Sequence, residues 1–572
     1  MSKLEPPRYV KILFDQYSQN GIMALNDLHK FLMEFQGHEQ ATKDDAHAIF
    51  NSLKYLNIFQ RKGLHLEAFL RYLMSDLNAA LCPSSGVHQD MKAPLAHYFM
   101  FTGHNSYLTG NQLSSDSSVE PIINALRNGV RVIELDLWPN SKKDNVEVRH
   151  GGTLTSPVEL IKCLHAIKDN AFHASEYPVV ITFEDHLTPD LQSKVAKMVT
   201  KTFGKMLFCP ESDQMKEFPS PESLKKRVMI STKPPKEYVE TQNSKEKDTR
   251  QKSRKSSKKE HWEDEKAAST IEIEIETETD DKDQLVQIEH IPDEEEEIEY
   301  RNLIAIHAGK LKGPLENWLS IDSNKVARLS MSEQEVENAT RTNGTDIVRF
   351  TQRNLLRVYP KGLRLDSSNY NPFVGWTHGS QMVAFNMQGY GKHLWVMHGM
   401  FKANGRCGYV KKPDFLLQLD QNNMVFDPSK QLPVKINLKV KVLMGEGWDL
   451  DFHRTHFDLY SPPDFFVKLA VAGVPGDKAK RKTGVIKNDW LPDWNEEFEF
   501  SLTVPELAVL RIEVFEYDAS GKHDFAGQTC YPISELRTGI RAVPLHNRRG
   551  ELCKNARLLM QFKFACKAPN AI

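Results

Sequence analysis

The sequence predicts a multidomain chain in three parts: an α-helical lobe, an α/β (β/α)8 barrel split by a charged linker, and an all-β sandwich. Three observations carry this. Short apolar runs alternate with amphipathic stretches on both sides of residues 239–300, the pattern of a parallel sheet or barrel. Residues 239–300 interrupt that pattern with a basic, serine-rich run followed by an acidic one. Beyond residue 433, closely spaced alternating runs divided by turn residues read as a sandwich. The length of 572 residues, 40% hydrophobic and 26% charged, suits three or four domains at roughly 150 residues each.

The lobe, residues 1–80, opens with LFDQYSQNGIMALNDLHKFL, a helix, loop, helix unit with EF-hand spacing. Gly21 at loop position 6 puts Gln16 at 1, Ser18 at 3, Asn20 at 5 and Asp27 at 12. An uncharged first position and a short last acid make a poor ion cage. With GLHLEAFLRYL as its partner hairpin, the lobe therefore reads as a structural brace for the barrel and not as a calcium sensor. The first barrel half, 92–238, contains HYFMFTG, VRVIELDLW, VEVRHGG, YPVVITFED and RVMISTK, and the second, 301–428, contains LIAIHAG, NLLRVYP and MVAFNMQGYG. Between them, SKEKDTRQKSRKSSKKEH and IPDEEEEIEY bury little and read as a disordered, solvated linker. The sandwich, 433–567, is built from PVKINLKVKVLMGEGW, FFVKLAVAG, EEFEFSLTV and AVLRIEVFEYD.

Composition excludes several function classes. Seventy-four basic against seventy-six acidic residues leave a net charge of −2, with no nucleic-acid bias. Seven scattered cysteines in no metal-ligand spacing suit a reducing compartment without disulfides or zinc. No stretch approaches the ~18 apolar residues of a membrane span, and Ser2 replaces the glycine needed for myristoylation. The expectation is a soluble cytoplasmic protein without a lipid anchor, in which the sequons at Asn338 and Asn343 are chance matches. Nothing requires more than a monomer.

VRVIELDLW is an apolar strand with two acids, Glu134 and Asp136, on one face, because side chains alternate along a strand. Other polar residues also stand where apolar runs end: His104 and Asn105, His150, Glu184 and Lys233. In a (β/α)8 barrel the C-terminal strand ends build the active site, so these residues converge there. Asn105, Glu134, Asp136 and Glu184 offer hard oxygen ligands, which suit Ca²⁺ or Mg²⁺. Two histidines beside such a cation point to acid/base work on a phosphate ester.

FTGHNSYLTGNQL, RVIELDLW, RHGGTLT and YPVVITFEDH resemble the X half of the eukaryotic phosphoinositide-specific phospholipase C barrel. LLRVYPKGLRLDSSNYNP, MVAFNMQGYG and NGRCGYVKKP resemble its Y half. PPKEY, SPPDFF and the lack of a pleckstrin-homology domain are similar to the plant type. The resemblance implies Ca²⁺-dependent hydrolysis of phosphatidylinositol 4,5-bisphosphate, or the monophosphate, to diacylglycerol and a soluble inositol phosphate through a cyclic intermediate. It assigns Asn105, Glu134, Asp136 and Glu184 to Ca²⁺. His104 is implied to stabilise the pentacoordinate phosphate, and His150 to protonate the diacylglycerol oxygen and then activate water. Glu134 is the implied base on the 2-hydroxyl, with Asp136 the alternative. Lys233, Ser330, Arg357 and Tyr359 match headgroup contacts. Ser231 departs from the pattern, standing where many animal members carry a first lysine, with Lys236 just beyond. Leu113 and Leu154 match an apolar rim that dips into the bilayer, with core packing the alternative, while Gly152 and Leu363 stand where animal members often have aromatics.

The sandwich resembles a C2 domain, and Asp464, Asn488, Glu516, Asp518 and Asp524 match its Ca²⁺ loops. The basic segment KAKRKTGVIK reads as a face for anionic lipid, with an ordinary solvated loop the alternative. The resemblance implies peripheral recruitment to the cytoplasmic face of the plasma membrane and, for the linker, an inhibitory insert. Two rival functions remain: a glycerophosphodiester phosphodiesterase on the same barrel, which would not require Lys233, Arg357 or Tyr359, and a Ca²⁺-dependent membrane scaffold with a dead barrel.

Overall fold

The computed structural model describes residues 6–53, 63–82, 86–211, 215–235, 300–309, 325–430, 432–453, 455–457 and 461–566. The linker expected at 239–300, apart from Tyr300, lies outside them, as does Lys236.

Eight parallel strands make the barrel: β1 (Thr102–Gly103), β2 (Val132–Pro139), β3 (Val179–Asp185), β4 (Val228–Thr232), β5 (Ile304–His307), β6 (Arg328–Ser332), β7 (Leu355–Tyr359) and β8 (Met382–Phe385). Hydrogen-bonded neighbours run in the order β5-β4-β3-β2-β1-β8-β7-β6, and a parallel bridge between Ala308 and Arg328 closes the circle. Most of these strands are buried along nearly their whole length, which explains their near-continuous apolar runs. Helices Leu160–Asn170, Pro189–Phe203, Glu333–Thr351 and Lys392–Met400 supply residues such as Leu164, Val195, Val348 and Met397 to the barrel's main apolar core.

Two strands differ from the sequence reading. Val146–Val148, within VEVRHGG, is not a barrel strand: it pairs antiparallel with β2 and with Val158–Glu159, forming a flap beside the barrel. Its pairing is antiparallel on both sides, whereas every barrel strand pairs parallel with its barrel neighbours. The barrel strand in its place is β6, RLSMS, whose alternating polar residues conceal it among loop sequence.

The sandwich is one continuous eight-stranded antiparallel arrangement from Ile436–Glu446 to Leu552–Cys566. Its core gathers inward residues such as Val440, Leu469, Ile512 and Leu558. It docks on the barrel through Lys392–Met400, where Gly399 leaves no space for a side chain: a Cβ there would lie 2.5 Å from Cβ of Cys530.

The helical lobe packs on the sandwich, which corrects the expectation of a brace for the barrel. Its core, including Phe31, Phe69 and Leu73, is continuous with Leu443, Met444, Ile540 and Leu559 of the sandwich. The seam also carries a buried polar knot. Gln36 donates to the Ile540 carbonyl at 2.8 Å, and Arg541 donates to Asn78 at 3.0 Å and to the Gln36 carbonyl at 2.8 Å. Asn20 and Gly21 adopt positive φ, as a tight loop requires, but Asp27 accepts from the Ala24 amide and so caps a helix.

Candidate active site

The carboxylates converge because strand register aligns them. Glu134 lies beside Thr182, and Asp136 beside Glu184, across the β2/β3 pair, and register partners project to the same side of a sheet. Ligand oxygens of Glu134, Asp136 and Glu184 all lie within 4.8 Å of one another, the only such three-ligand group among the described residues. Asn105, in a positive-φ conformation, joins them from the turn after β1: its amide donates to Glu134 Oε2 at 3.1 Å.

Electrostatics divides the three acids. Asp136 is 4% exposed; burial, then the charges of Glu184 and Glu134, push its carboxyl well above the usual range. Tyr107 donates to its Oδ2 at 2.9 Å, while its buried Oδ1 has no hydrogen-bond partner. Glu184 reaches solvent and is held below the usual range, chiefly by His186 at 3.4 Å. Glu134 Oε1 pairs with the Arg357 guanidinium. Clustered carboxylates with an orphaned oxygen are costly alone and suit a hard cation. Asn105, Glu134, Asp136 and Glu184 thus fit Ca²⁺ by donor chemistry and burial.

Both histidines are oriented by their second nitrogen. His104 Nδ1 lies 2.9 Å from Asn386 Oδ1, and His150 Nδ1 lies 2.8 Å from the Gln112 carbonyl. A carbonyl oxygen only accepts, so each Nδ1 carries the proton and Nε2 is left for chemistry. Burial lowers the His104 pKa. His150 arrives from the flap that begins at Val146–Val148, not from a barrel strand end.

Gln112, which the sequence reading passed over, ties these groups together. Ser367 donates to the Gly110 carbonyl at 2.7 Å, so its oxygen must accept from Gln112 Nε2 at 2.8 Å. That fixes Gln112 Oε1 toward Asn105 Nδ2, 2.8 Å away, and leaves Asn105 Oδ1 on the other side of its amide. The same Nε2 donates to Asn386 Oδ1 at 3.1 Å, the atom that sets the His104 tautomer. No sequence signal singled out Gln112 or Asn386, because the contacts of Gln112 with Ser367 and Asn386 that join them to the site span 255 and 274 residues of chain.

On the opposite wall Arg357 pairs in register with Ser330 and lies over the Tyr359 ring at 5.3 Å. Lys233 is exposed just beyond β4. Ser231 is fully buried and donates to the Ile306 carbonyl at 3.1 Å. Around the mouth, Leu154 is 82%, Leu363 84% and Tyr390 70% exposed. Leu113, 46% exposed, touches Leu154 through a backbone hydrogen bond of 2.9 Å. Core packing therefore does not account for Leu154.

Comparison with known proteins gives this geometry its family. Residues 91–234 match the phosphatidylinositol-specific phospholipase C X domain, 311–415 its Y domain, and 437–546 the C2 domain. Phosphoinositide phospholipase C 2 of Arabidopsis thaliana is 56% identical across 98% of this chain and 96% of its own length. The chain belongs to the phosphoinositide-specific phospholipase C family. Mouse 1-phosphatidylinositol 4,5-bisphosphate phosphodiesterase delta-3 is 33% identical over 96% of this chain and 67% of its own length. The crystal structure of L. pealei PLC21 matches 99% of this chain and 70% of its own, at 27% identity and a TM-score of 0.75. The protein is accordingly a phosphoinositide phospholipase C, a phosphodiesterase that hydrolyses phosphoinositide lipid, in a family whose catalytic and C2 domains are generally Ca²⁺-dependent. The C2 domain and the phospholipase C relatives point to interaction with lipid and membrane, and no helix among the described residues is long and apolar enough to cross a membrane.

In this phospholipase C the five C2 candidates are neighbours at one end of the sandwich. Asp464 directly precedes strand Phe465–Ala472, Glu516 ends Val509–Glu516, and Asp524 opens Asp524–Pro532. Asn488 donates its amide to Asp464 Oδ1 at 2.8 Å, and Glu516 pairs with Asp524 across the sheet. Asp518 accepts from the Ser520 amide at 2.6 Å. They lack the mutual closeness of the barrel acids.

Proposed function

We propose that this phospholipase C cleaves phosphatidylinositol 4,5-bisphosphate or the 4-phosphate at the plasma membrane with Ca²⁺ held by Asn105, Glu134, Asp136 and Glu184. The convergence of three carboxylates within 4.8 Å, beside two histidines with preset tautomers, carries the reading. Bound there, Ca²⁺ would lower the pKa of the inositol 2-hydroxyl and offset negative charge developing on the phosphate.

The protein's own groups do the rest. Glu134 takes the 2-hydroxyl proton, but in the resting site its Oε1 is paired with Arg357. A headgroup phosphate draws Arg357 away, since guanidinium prefers the bidentate dianion, and thereby releases the base. As an imidazolium, which the negative charge of the bound phosphate favours against burial, His104 donates from Nε2 to the equatorial phosphate oxygen while its Nδ1–H stays on Asn386. His150, starting as an imidazolium with its Nδ1–H on the Gln112 carbonyl, gives its Nε2 proton to the departing diacylglycerol oxygen and then takes one at Nε2 from the water that opens the cyclic phosphate. Lys233, Ser330 and Tyr359 hold the headgroup, and the exposed Leu154, Leu363 and Tyr390 enter the bilayer. The C2 residues Asp464, Asn488, Glu516, Asp518 and Asp524 bind Ca²⁺ at the membrane surface, with the basic strand Ala479–Lys482 meeting anionic lipid.

The test is release of soluble inositol phosphates from vesicles holding either lipid. His104→Gln is expected to lower kcat by at least about a hundredfold, the scale of a lost general-acid or oxyanion contact, with vesicle binding retained. Undiminished release by the variant would remove His104 from the chemistry.

A further inference from the structure

Arg328 is a buried cation that the mechanism above does not use. It lies at the start of β6, only 5% exposed, two residues before Ser330 and therefore on the same barrel-facing side. Its Nη1 donates to Thr182 Oγ1 at 3.2 Å, its Nε has no hydrogen-bond partner, and no carboxylate stands within salt-bridge distance of it among the described residues.

Two other buried arginines in the chain provide the contrast. Arg131 spends its donors on six backbone carbonyls, including those of Ala171 at 2.6 Å and Val130 at 2.8 Å. Arg541 is likewise satisfied by Asn78, His38 and the carbonyls of Thr538 and Gln36. Those are structural cations. A buried guanidinium with donors left over is expensive unless something anionic completes it.

The unused donors cluster. Ser330 Oγ and Arg357 Nε are also buried without partners, and Arg357 is the register partner of Ser330 on the next strand. Thr182, which anchors Arg328, is the register partner of both Glu134 and Ser231. The guanidinium thus reaches across the barrel to the layer occupied by Glu134 and by the neutral Ser231.

We propose that Arg328 extends the headgroup site of Ser330 and Arg357 with a further cation for a phosphomonoester on the inositol ring, supplying from β6 the charge that Ser231 does not supply from β4. This rests on the phosphoinositide reading of the site and names the group that the floor recognises. It makes Arg328 a determinant of preference for phosphorylated over unphosphorylated headgroups. Burial and the neighbouring Arg357 lower the Arg328 pKa to about 9, so the group remains charged at neutral pH.

The experiment compares wild type, Arg328→Met and Arg328→Lys in two readouts. The first is kcat/KM on vesicles carrying phosphatidylinositol 4-phosphate against vesicles carrying phosphatidylinositol. Arg328→Met is expected to lower the ratio roughly tenfold or more, the scale of a lost charged hydrogen bond. Arg328→Lys, which keeps the charge without the planar fork and serves if the Met variant does not fold, should lower it less. Ser231→Lys added to Arg328→Met should recover part of the ratio by restoring a cation from the other strand. The second readout is thermal stabilisation by soluble inositol 1,4-bisphosphate against inositol 1-phosphate and inorganic phosphate. The bisphosphate advantage should be present in wild type and reduced in Arg328→Met, while equal stabilisation by inorganic phosphate would mark a general anion site and overturn the headgroup assignment. An equal loss on both lipids, with the bisphosphate advantage intact, would make Arg328 a purely structural residue and overturn the proposal. If wild type hydrolysed neither lipid yet still bound the bisphosphate through Arg328, the catalytic reading would fail and the subsite would stand.

Discussion

Asn105 can serve a cation only if its oxygen, and not its NH2, faces the carboxylates. The polarity of that amide is set three groups away, by the Gly110 carbonyl acting through Ser367 and Gln112. Gln112→Leu removes the partner that fixes it and orphans Asn105 Nδ2, a loss of about 1–3 kcal/mol for a buried polar group. The expected outcome is a roughly tenfold or larger rise in the Ca²⁺ concentration giving half-maximal lipid hydrolysis. An unchanged calcium requirement with only a lower melting temperature would reduce Gln112 to packing. The carboxylates themselves were legible in the sequence because period-two alternation puts Glu134 and Asp136 on one face. Gln112, Asn386 and Arg328 were not, since each gains its meaning from partners on remote strands.

At the scale of elements, the proposed membrane rim is carried by loops: Leu154 lies between the flap strands Val146–Val148 and Val158–Glu159, and Leu363 follows β7. Leu154 and Leu363 are more than four-fifths exposed, and burying one such side chain in lipid is worth roughly 1.5–3 kcal/mol. Leu154→Asp/Leu363→Asp should cut turnover of vesicle-borne lipid at least tenfold and cut turnover of a soluble, short-chain substrate far less. Equal losses on both substrates would place these leucines in folding or catalysis. The repeating strand and helix pattern was legible because parallel strands buried on both faces read as apolar runs. β6 escaped notice because Arg328, Ser330 and Ser332 put polar residues at every second position, the mark of a strand lining a polar site. Val146–Val148 misled in the opposite sense: β-branched residues suit a flap hairpin as well as a barrel wall.

For the molecule as a whole, half-buried histidines tie domain packing to pH. His38 at the lobe–sandwich seam and His398 and His546 at the barrel–sandwich contact have their pKa lowered by burial to about 3, 4 and 3. The unfolded chain therefore takes up these protons first, so this stability is whole above about pH 6.5 and declines as pH falls toward about 4. Melting temperature in chelator should drop between pH 7.5 and pH 5, and His398→Gln should shrink the drop. An identical drop in the variant would exclude His398 as a contributor. The sequence foretold three folding units but not their docking, because the contact faces, such as Ile540 and Leu559 against the lobe, look like ordinary core positions of a single domain.

On the proposed reading, three carboxylates and Asn105 make the barrel mouth a calcium-dependent lipid phosphodiesterase. That reading is tested most directly by measuring inositol phosphate release from phosphoinositide vesicles across buffered Ca²⁺ for wild type and Asp136→Asn. The account predicts release that rises from zero with Ca²⁺ in wild type, and release at least about a hundredfold lower in the variant even at saturating Ca²⁺. Full release by wild type in chelator, or a variant with the wild-type calcium curve, would contradict it.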